Sequence, residues 1–243
     1  MLHLEHIHKT YGGGRAVKAV DDLTLELRPG EIFGFIGPNG AGKTTTIKLA
    51  MGILQPDQGT VTVAGISMAK DPIRAKQAIG YAPDAMELYD RLKGMEYLNM
   101  MADIYGVSQD DRMQRIQDYL TRFELQDAMG DPLHSYSRGM RQKLVIIGAL
   151  LHKPTLWMLD EPLTGLDPRS SHVLKQEMRV HADAGNTVFF STHVLEVAEK
   201  LCDRIGIINH GRLVAVGRLD ELRQSGDASL ESTFLQITEG VSQ

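Results

Sequence analysis

The chain has 243 residues, 42% hydrophobic and 23% charged, which suits a globular protein of one large or two small domains. A net charge of −5 leaves no global basic field for nucleic acid or anionic lipid. The single cysteine, Cys202, excludes a disulfide framework and a cysteine-based zinc site and fits a reducing, cytosolic setting.

The first third alternates short apolar runs with turns. "HLEHIHKTY", "DLTLELRPG" and "TVTVAG" have the period of two expected of strands. Between the last two, "EIFGFIG" leads as a strand into a glycine-rich loop, and "KTTTIKLAMGIL" is expected to continue as a helix, closed by the turn "QPDQG". From about residue 85 to 150 the spacing becomes helical: Met113, Ile116, Leu120 and Phe123 share a face, as do Met140, Leu144, Ile147 and Leu151, with Pro154 just beyond. Strand-like runs return in "TLWMLDEP", "TVFFSTH" and "RIGIINHGRLVAVG", separated by helix-like segments such as "SSHVLKQEMRVHADAG". This alternation predicts an α/β core with a largely parallel sheet, and "NHG" predicts a hairpin turn. One α/β domain with a helical insertion is therefore expected, without internal repeats. No apolar run of about 18 residues occurs, so any membrane role is expected to come through a partner.

"GPNGAGKTT" fits the phosphate-loop pattern G-x-x-x-x-G-K-[ST] from Gly37 to Thr44. Its glycines let successive backbone N–H groups converge on phosphate oxygens, and the following helix adds its positive end. Lys43 is placed for the β- and γ-phosphates and Thr44 for Mg²⁺. "TLWMLDEP" ends a buried strand in two carboxylates. Alone, they are equally well two solvated acids. After a complete phosphate loop, Asp160 is expected to hold Mg²⁺ through its water shell and Glu161 to act as general base. His193, in "STHVLEV", follows another apolar strand and could sense the γ-phosphate or merely sit in a capping turn. Tyr11, in "KTYGGG", either stacks on a purine or packs locally. Stacking would not separate adenine from guanine.

The order of Tyr11, "GPNGAGKTT", "YAPD", "SYSRGM", "LWMLDEP", "LTGLD" and "STH" resembles the ATP-binding subunit of an ABC transporter, over almost the whole chain. The resemblance implies a P-loop NTPase (ABC ATPase) fold: an α/β core with an N-terminal antiparallel β part and a helical insertion subdomain. Residues 1–84 and 151–218 would form the nucleotide-binding core, 85–150 the insertion, and 219–243 a short tail. It implies a Mg²⁺-dependent ATP hydrolase. Tyr11, Gly37, Pro38, Asn39, Gly40, Ala41, Gly42, Lys43, Thr44, Thr45 and, from a second subunit, Ser137 and Gly139 would bind ATP. Lys43, Glu161 and His193 would be catalytic, and Thr44, Asp160 and Asp84 would serve the metal. Asp167 would communicate between two sites.

"SYSRGM" alone reads as a capped helix start with a basic first turn. The resemblance makes it the signature that contacts ATP held by another subunit, in a homodimer or with a related ATPase. Tyr136, Arg138 and Met140 replace three residues of the commonest family signature, Leu-Ser-Gly-Gly-Gln, and Asp84 stands where the family usually has glutamine. These departures resemble a subgroup paired with separate permease chains, often exporters of drugs, antibiotics, peptides or lipids. The implied location is peripheral, on the cytoplasmic face of the cell membrane, with no nucleic acid partner. Seven of the 12 methionines fall between residues 84 and 144 (Met86, Met95, Met100, Met101, Met113, Met129 and Met140). They suggest either a partner groove around Asp84–Leu98 or filler for a small helical core. The rival reading is a soluble ABC ATPase acting on ribosomes or nucleic acid.

Overall fold

A computed structural model describes residues 1–12, 16–84, 90–222, 231 and 234–235. Ten strands and eight α-helices are described: β1 (Leu2–Tyr11), β2 (Val17–Leu27), β3 (Ile32–Ile36), α1 (Lys43–Ala50), β4 (Gln58–Val63), β5 (Ile66–Ser67), α2 (Pro72–Gln77), β6 (Ile79–Ala82), α3 (Gly94–Ile104), α4 (Gln109–Phe123), α5 (Arg138–Leu150), β7 (Leu156–Asp160), α6 (Pro168–Asp183), β8 (Thr187–Thr192), α7 (Leu195–Leu201), β9 (Arg204–Asn209), β10 (Arg212–Gly217) and α8 (Leu219–Leu222). The strands form a four-stranded antiparallel sheet, β2-β1-β4-β5, and a six-stranded sheet, β10-β9-β3-β8-β7-β6. In the larger sheet every pair is parallel except β9–β10, whose turn places His210 and Gly211 at positive φ, as the predicted hairpin requires.

β3, β7 and β8 are buried along their whole lengths, which is why they read as unbroken apolar runs rather than alternating ones. Their side chains still sort by parity. Trp157, Leu159, Val188 and Phe190 join the cluster built on Leu98, Leu120, Phe123, Leu144 and Ile147 of α3, α4 and α5. Leu156, Met158, Phe189, Phe33 and Phe35 join the opposite cluster with α1 and the antiparallel sheet. The larger sheet is thus the shared wall between the helical part and the antiparallel part.

Two local expectations are corrected. The helix after the phosphate loop stops at Ala50 rather than running through Leu54. Gly52 adopts φ 62°, its N–H donates to the Leu49 carbonyl (3.0 Å), and the Ile53 N–H donates to that of Lys48 (2.9 Å), a Schellman stop. Met113 is 61% exposed instead of sharing the buried face of Ile116, Leu120 and Phe123. The neighbouring Arg112 turns that end of α4 polar, donating to Asn99, Asp103 and the Val107 carbonyl. The other described methionines of this stretch fill the helical core: Met129 is buried, and Met95, Met100, Met101 and Met140 pack against it. Met86 and the rest of 85–89, the first part of the suggested groove, lie outside the described residues, as does most of the tail beyond Leu222.

Candidate functional site

Parallel pairing puts the carboxyl ends of β3, β8 and β7 at one edge. Ile36 pairs with Thr192, and Asp160 with Ser191. The glycine-rich loop, the Asp160–Glu161 pair and the segment holding His193 therefore emerge side by side, the usual position for a ligand in an open α/β sheet. The loop and the acidic pair line a cleft of about 290 Å³, with Pro38, Asn39, Gly40, Gly42, Lys43, Thr44, Thr45, Asp84, Asp160 and Glu161 on its walls, whereas His193 lies outside that lining and reaches it through Glu161.

The loop wraps tightly because its glycines admit close backbone neighbours. A Cβ on Gly42, at φ 110°, would lie 2.4 Å from the Ala19 carbonyl oxygen. One on Gly37 would lie 2.4 Å from that of Ile208. The Gly211 N–H donates to the Ala41 carbonyl (2.9 Å), bracing the loop against the β9–β10 turn. Gly37 and Ala41 thus support the cradle from beneath rather than line it. Lys43 is buried, and its Nζ donates to the carbonyls of Gly37 (2.6 Å) and Pro38 (3.3 Å) while lying 3.7 Å from Glu161 Oε1.

Both oxygens of buried Asp160 accept hydroxyl hydrogen bonds: Oδ2 from Thr44 (2.8 Å) and Oδ1 from Ser191 (2.5 Å). Ser191 Oγ also accepts the Glu161 N–H (3.0 Å). Glu161 holds a left-handed backbone, φ 48°, a costly conformation of the kind that clusters at functional sites. Its Oε2 lies 3.0 Å from His193 Nδ1, and since a carboxylate only accepts, that nitrogen carries the proton. Burial, together with the Asp160 and Asp84 charges, pushes the Tyr81 phenol far above its ordinary value, so it stays neutral beside the cleft.

Several expected site residues lie apart from this cleft. Tyr11 is 41% exposed at the end of β1, paired with Val17 on the sheet that abuts the loop through Ala19. Ser137 is the N-cap of α5, accepting the Met140 N–H at 3.2 Å. A Cβ on Gly139 would sit 2.9 Å from the Gly165 carbonyl oxygen. Asp167 caps α6: its carboxylate accepts from the N–H (2.9 Å) and hydroxyl (2.5 Å) of Ser170 and pairs with Lys143 at 3.3 Å. The Ser170 bonds, with help from Lys143, hold that carboxyl well below its usual range. Asp84 lines the cleft and pairs with Arg138, 3.1 Å away. Ser191, bonded to both Asp160 and Glu161, is a residue that the sequence alone did not single out. Its only signal is its place directly before Thr192 and His193 at a strand end.

A family model described as ABC transporter matches residues 20–164. The linearmycin resistance ATP-binding protein LnrL of Bacillus subtilis (strain 168) is 37% identical over 241 residues, covering 98% of this chain and 76% of that protein. The daunorubicin/doxorubicin resistance ATP-binding protein DrrA of Streptomyces peucetius is 40% identical over 217 residues, covering 89% of this chain and 65% of its own length. A solved structure described as the ATP binding subunit of an ABC transporter superposes with a TM-score of 0.91 at 33% identity, covering 98% of this chain and 99% of that one.

Proposed function

The chain belongs to the ABC transporter family as an ATP-binding subunit and ATP hydrolase, and from that premise we propose that it works as a head-to-tail pair driving an export permease. The observation that carries the site assignment is the convergence of Lys43, Thr44, Asp160 and Glu161 on one cleft, with Thr44 bonded to Asp160 at 2.8 Å.

In this reading the loop cradles the ATP phosphates through the N–H groups of Gly40, Gly42, Lys43, Thr44 and Thr45 while Gly37 and Ala41 brace it, and Lys43 turns its ammonium from the loop carbonyls to the β- and γ-phosphates. Tyr11 offers its exposed ring to the base. The donor set suits Mg²⁺: a hydroxyl and carboxylates, all hard oxygens, meet at the cleft. Thr44 and Asp160 would hold the ion, with Asp84 reaching its water shell. Bound there, Mg²⁺ would neutralise charge on the phosphates. Glu161 accepts a proton from the attacking water as general base, and His193 orients Glu161 and reads the γ-phosphate.

Ser137 and Gly139 are absent from the lining of their own chain's cleft, which supports their assignment to ATP held by the partner, a second copy or a related ATPase. ATP then favours the closed pair because its phosphates bridge two chains, and this differential affinity is what can do work on a permease. Asp167, anchored to both α5 and α6, is suited to relay between the two sites.

The export direction is supported by the relatives named for linearmycin resistance and for daunorubicin/doxorubicin resistance. Among the described residues no helix is long and apolar enough to cross a membrane, which agrees with peripheral attachment to a separate permease on the cytoplasmic face. The test is to purify tagged Glu161→Gln protein with ATP from gently solubilised membranes of its source. A stoichiometric polytopic membrane protein is expected. Soluble partners alone, such as ribosomal proteins, would overturn the transport reading.

A further inference from the structure

Four charged residues line the cleft: Lys43, Asp84, Asp160 and Glu161. Three are held by groups of the phosphate loop and of the adjoining ends of β7 and β8. Lys43 rests on the Gly37 and Pro38 carbonyls, Asp160 on Thr44 and Ser191, and Glu161 between Lys43 and His193. Asp84 is held instead by Arg138, 54 residues further along the chain and outside the cleft lining. Arg138 is the first residue of α5, between Ser137 and Gly139. Its stem lies across the turn that follows Glu161: a Cβ on Gly165 would meet Arg138 Cδ at 3.2 Å and Nε at 3.3 Å. One side chain thus spans the cleft wall, the start of α5 and the Gly165 turn.

We propose that the Asp84–Arg138 ion pair ties occupancy of the chain's own cleft to the first turn of α5, with Arg138 acting as a positioning residue. This rests on reading the cleft as a Mg²⁺–nucleotide site. A carboxylate that turns to accept from metal-bound water gives up part of its hold on a guanidinium. Linkage makes the effect reciprocal: Arg138 restrains Asp84 from serving the metal, and metal loading loosens Arg138 and the turn it begins. That turn carries Ser137 and Gly139, so each chain would report its own nucleotide to the surface proposed to meet the nucleotide of its partner.

The experiment is a Mg²⁺ titration of binding of a fluorescent ATP analogue to the purified full chain, for wild type, Arg138→Gln, Asp84→Asn and the double variant, all with matching thermal melting. Arg138→Gln is expected to lower the half-saturating Mg²⁺ by about two- to fivefold relative to its effect in the Asp84→Asn background, the range an exposed ion pair supplies. Arg138→Lys, which keeps the charge, stays near wild type. Equal shifts in both backgrounds would overturn the coupling. Absence of Mg²⁺-dependent binding by wild type would overturn the nucleotide reading and the inference with it. Amide exchange over residues 139–142, measured where the chain is monomeric, should speed up in wild type on adding Mg²⁺ and nucleotide, but be fast already in Arg138→Gln. Unchanged exchange would also overturn it.

Discussion

Replacing Ser191 with alanine removes one hydroxyl that serves two groups. It donates to Asp160 Oδ1 at 2.5 Å and accepts the Glu161 N–H at 3.0 Å. Ser191 and Asp160 are almost fully buried, so water is poorly placed to replace it. A hydrogen bond to a charged group contributes about 1.5–3 kcal/mol, and an orphaned buried N–H costs about 1–3 kcal/mol. Asp160 keeps Thr44 on its other oxygen. We therefore expect a loss of about 2–4 kcal/mol, a large part of the roughly 5–15 kcal/mol typical of a folded domain. Denaturant unfolding of the nucleotide-free protein reads this as a lowered midpoint with an unchanged slope. Turnover should fall more than nucleotide affinity, because Asp160 and Glu161 lose their common anchor while the phosphate loop is untouched. A Ser191→Ala protein within about 0.5 kcal/mol of wild type, the range of an uninvolved surface substitution, and with normal turnover would refute the reasoning.

Gly42→Ala should cost at least about 1–3 kcal/mol and abolish nucleotide binding, since its Cβ would meet the Ala19 carbonyl at 2.4 Å with φ at 110°; equilibrium unfolding and a binding titration check both. Asp167→Ala removes the α6 cap and the Lys143 partner, so a loss near 1 kcal/mol is expected in the same unfolding assay. Burial pushes His152 and His181 down to about 4 from an ordinary 6.5. The folded state therefore binds fewer protons than the unfolded chain. Their share of the stability should be full above pH 6.5, fall as pH drops toward 4, and level off below. Each histidine contributes on the order of 2–3 kcal/mol after partial screening. His181→Phe keeps a ring beside Trp157 and removes a nitrogen, Nε2, that has no partner, so its stability profile over that window should be flatter.

The phosphate loop was legible because its chemistry is contiguous: a buried strand, three glycines, a lysine and a helix fall within a few residues. The parallel core was legible for the same reason, since strands buried on both faces announce themselves as apolar runs. What escaped the sequence depends on register or distance. Ser191 acts because β7 and β8 pair Asp160 with it, a match no local spacing reveals. Asp84 and Arg138 were each visible as departures from a family pattern, but their contact needs β6 and α5 to meet. The short elements α2, β5 and β6 carry too few residues for a periodic signal. The methionine-rich stretch left two readings open: Met129 is buried core, Met95, Met100, Met101 and Met140 are partly buried against it, and Met113 is exposed.

The central claim is that each working site is built from two chains. Mixing two inactive variants tests it directly. Lys43→Met destroys a chain's own cleft but keeps Ser137 and Gly139, while Gly139→Asp alters no residue lining the cleft and spoils the surface offered to a partner. Neither pure variant should hydrolyse ATP, and a mixture should, because a mixed pair contains one intact composite site. A mixture as inactive as its components, or a Gly139→Asp protein active on its own, would contradict the account.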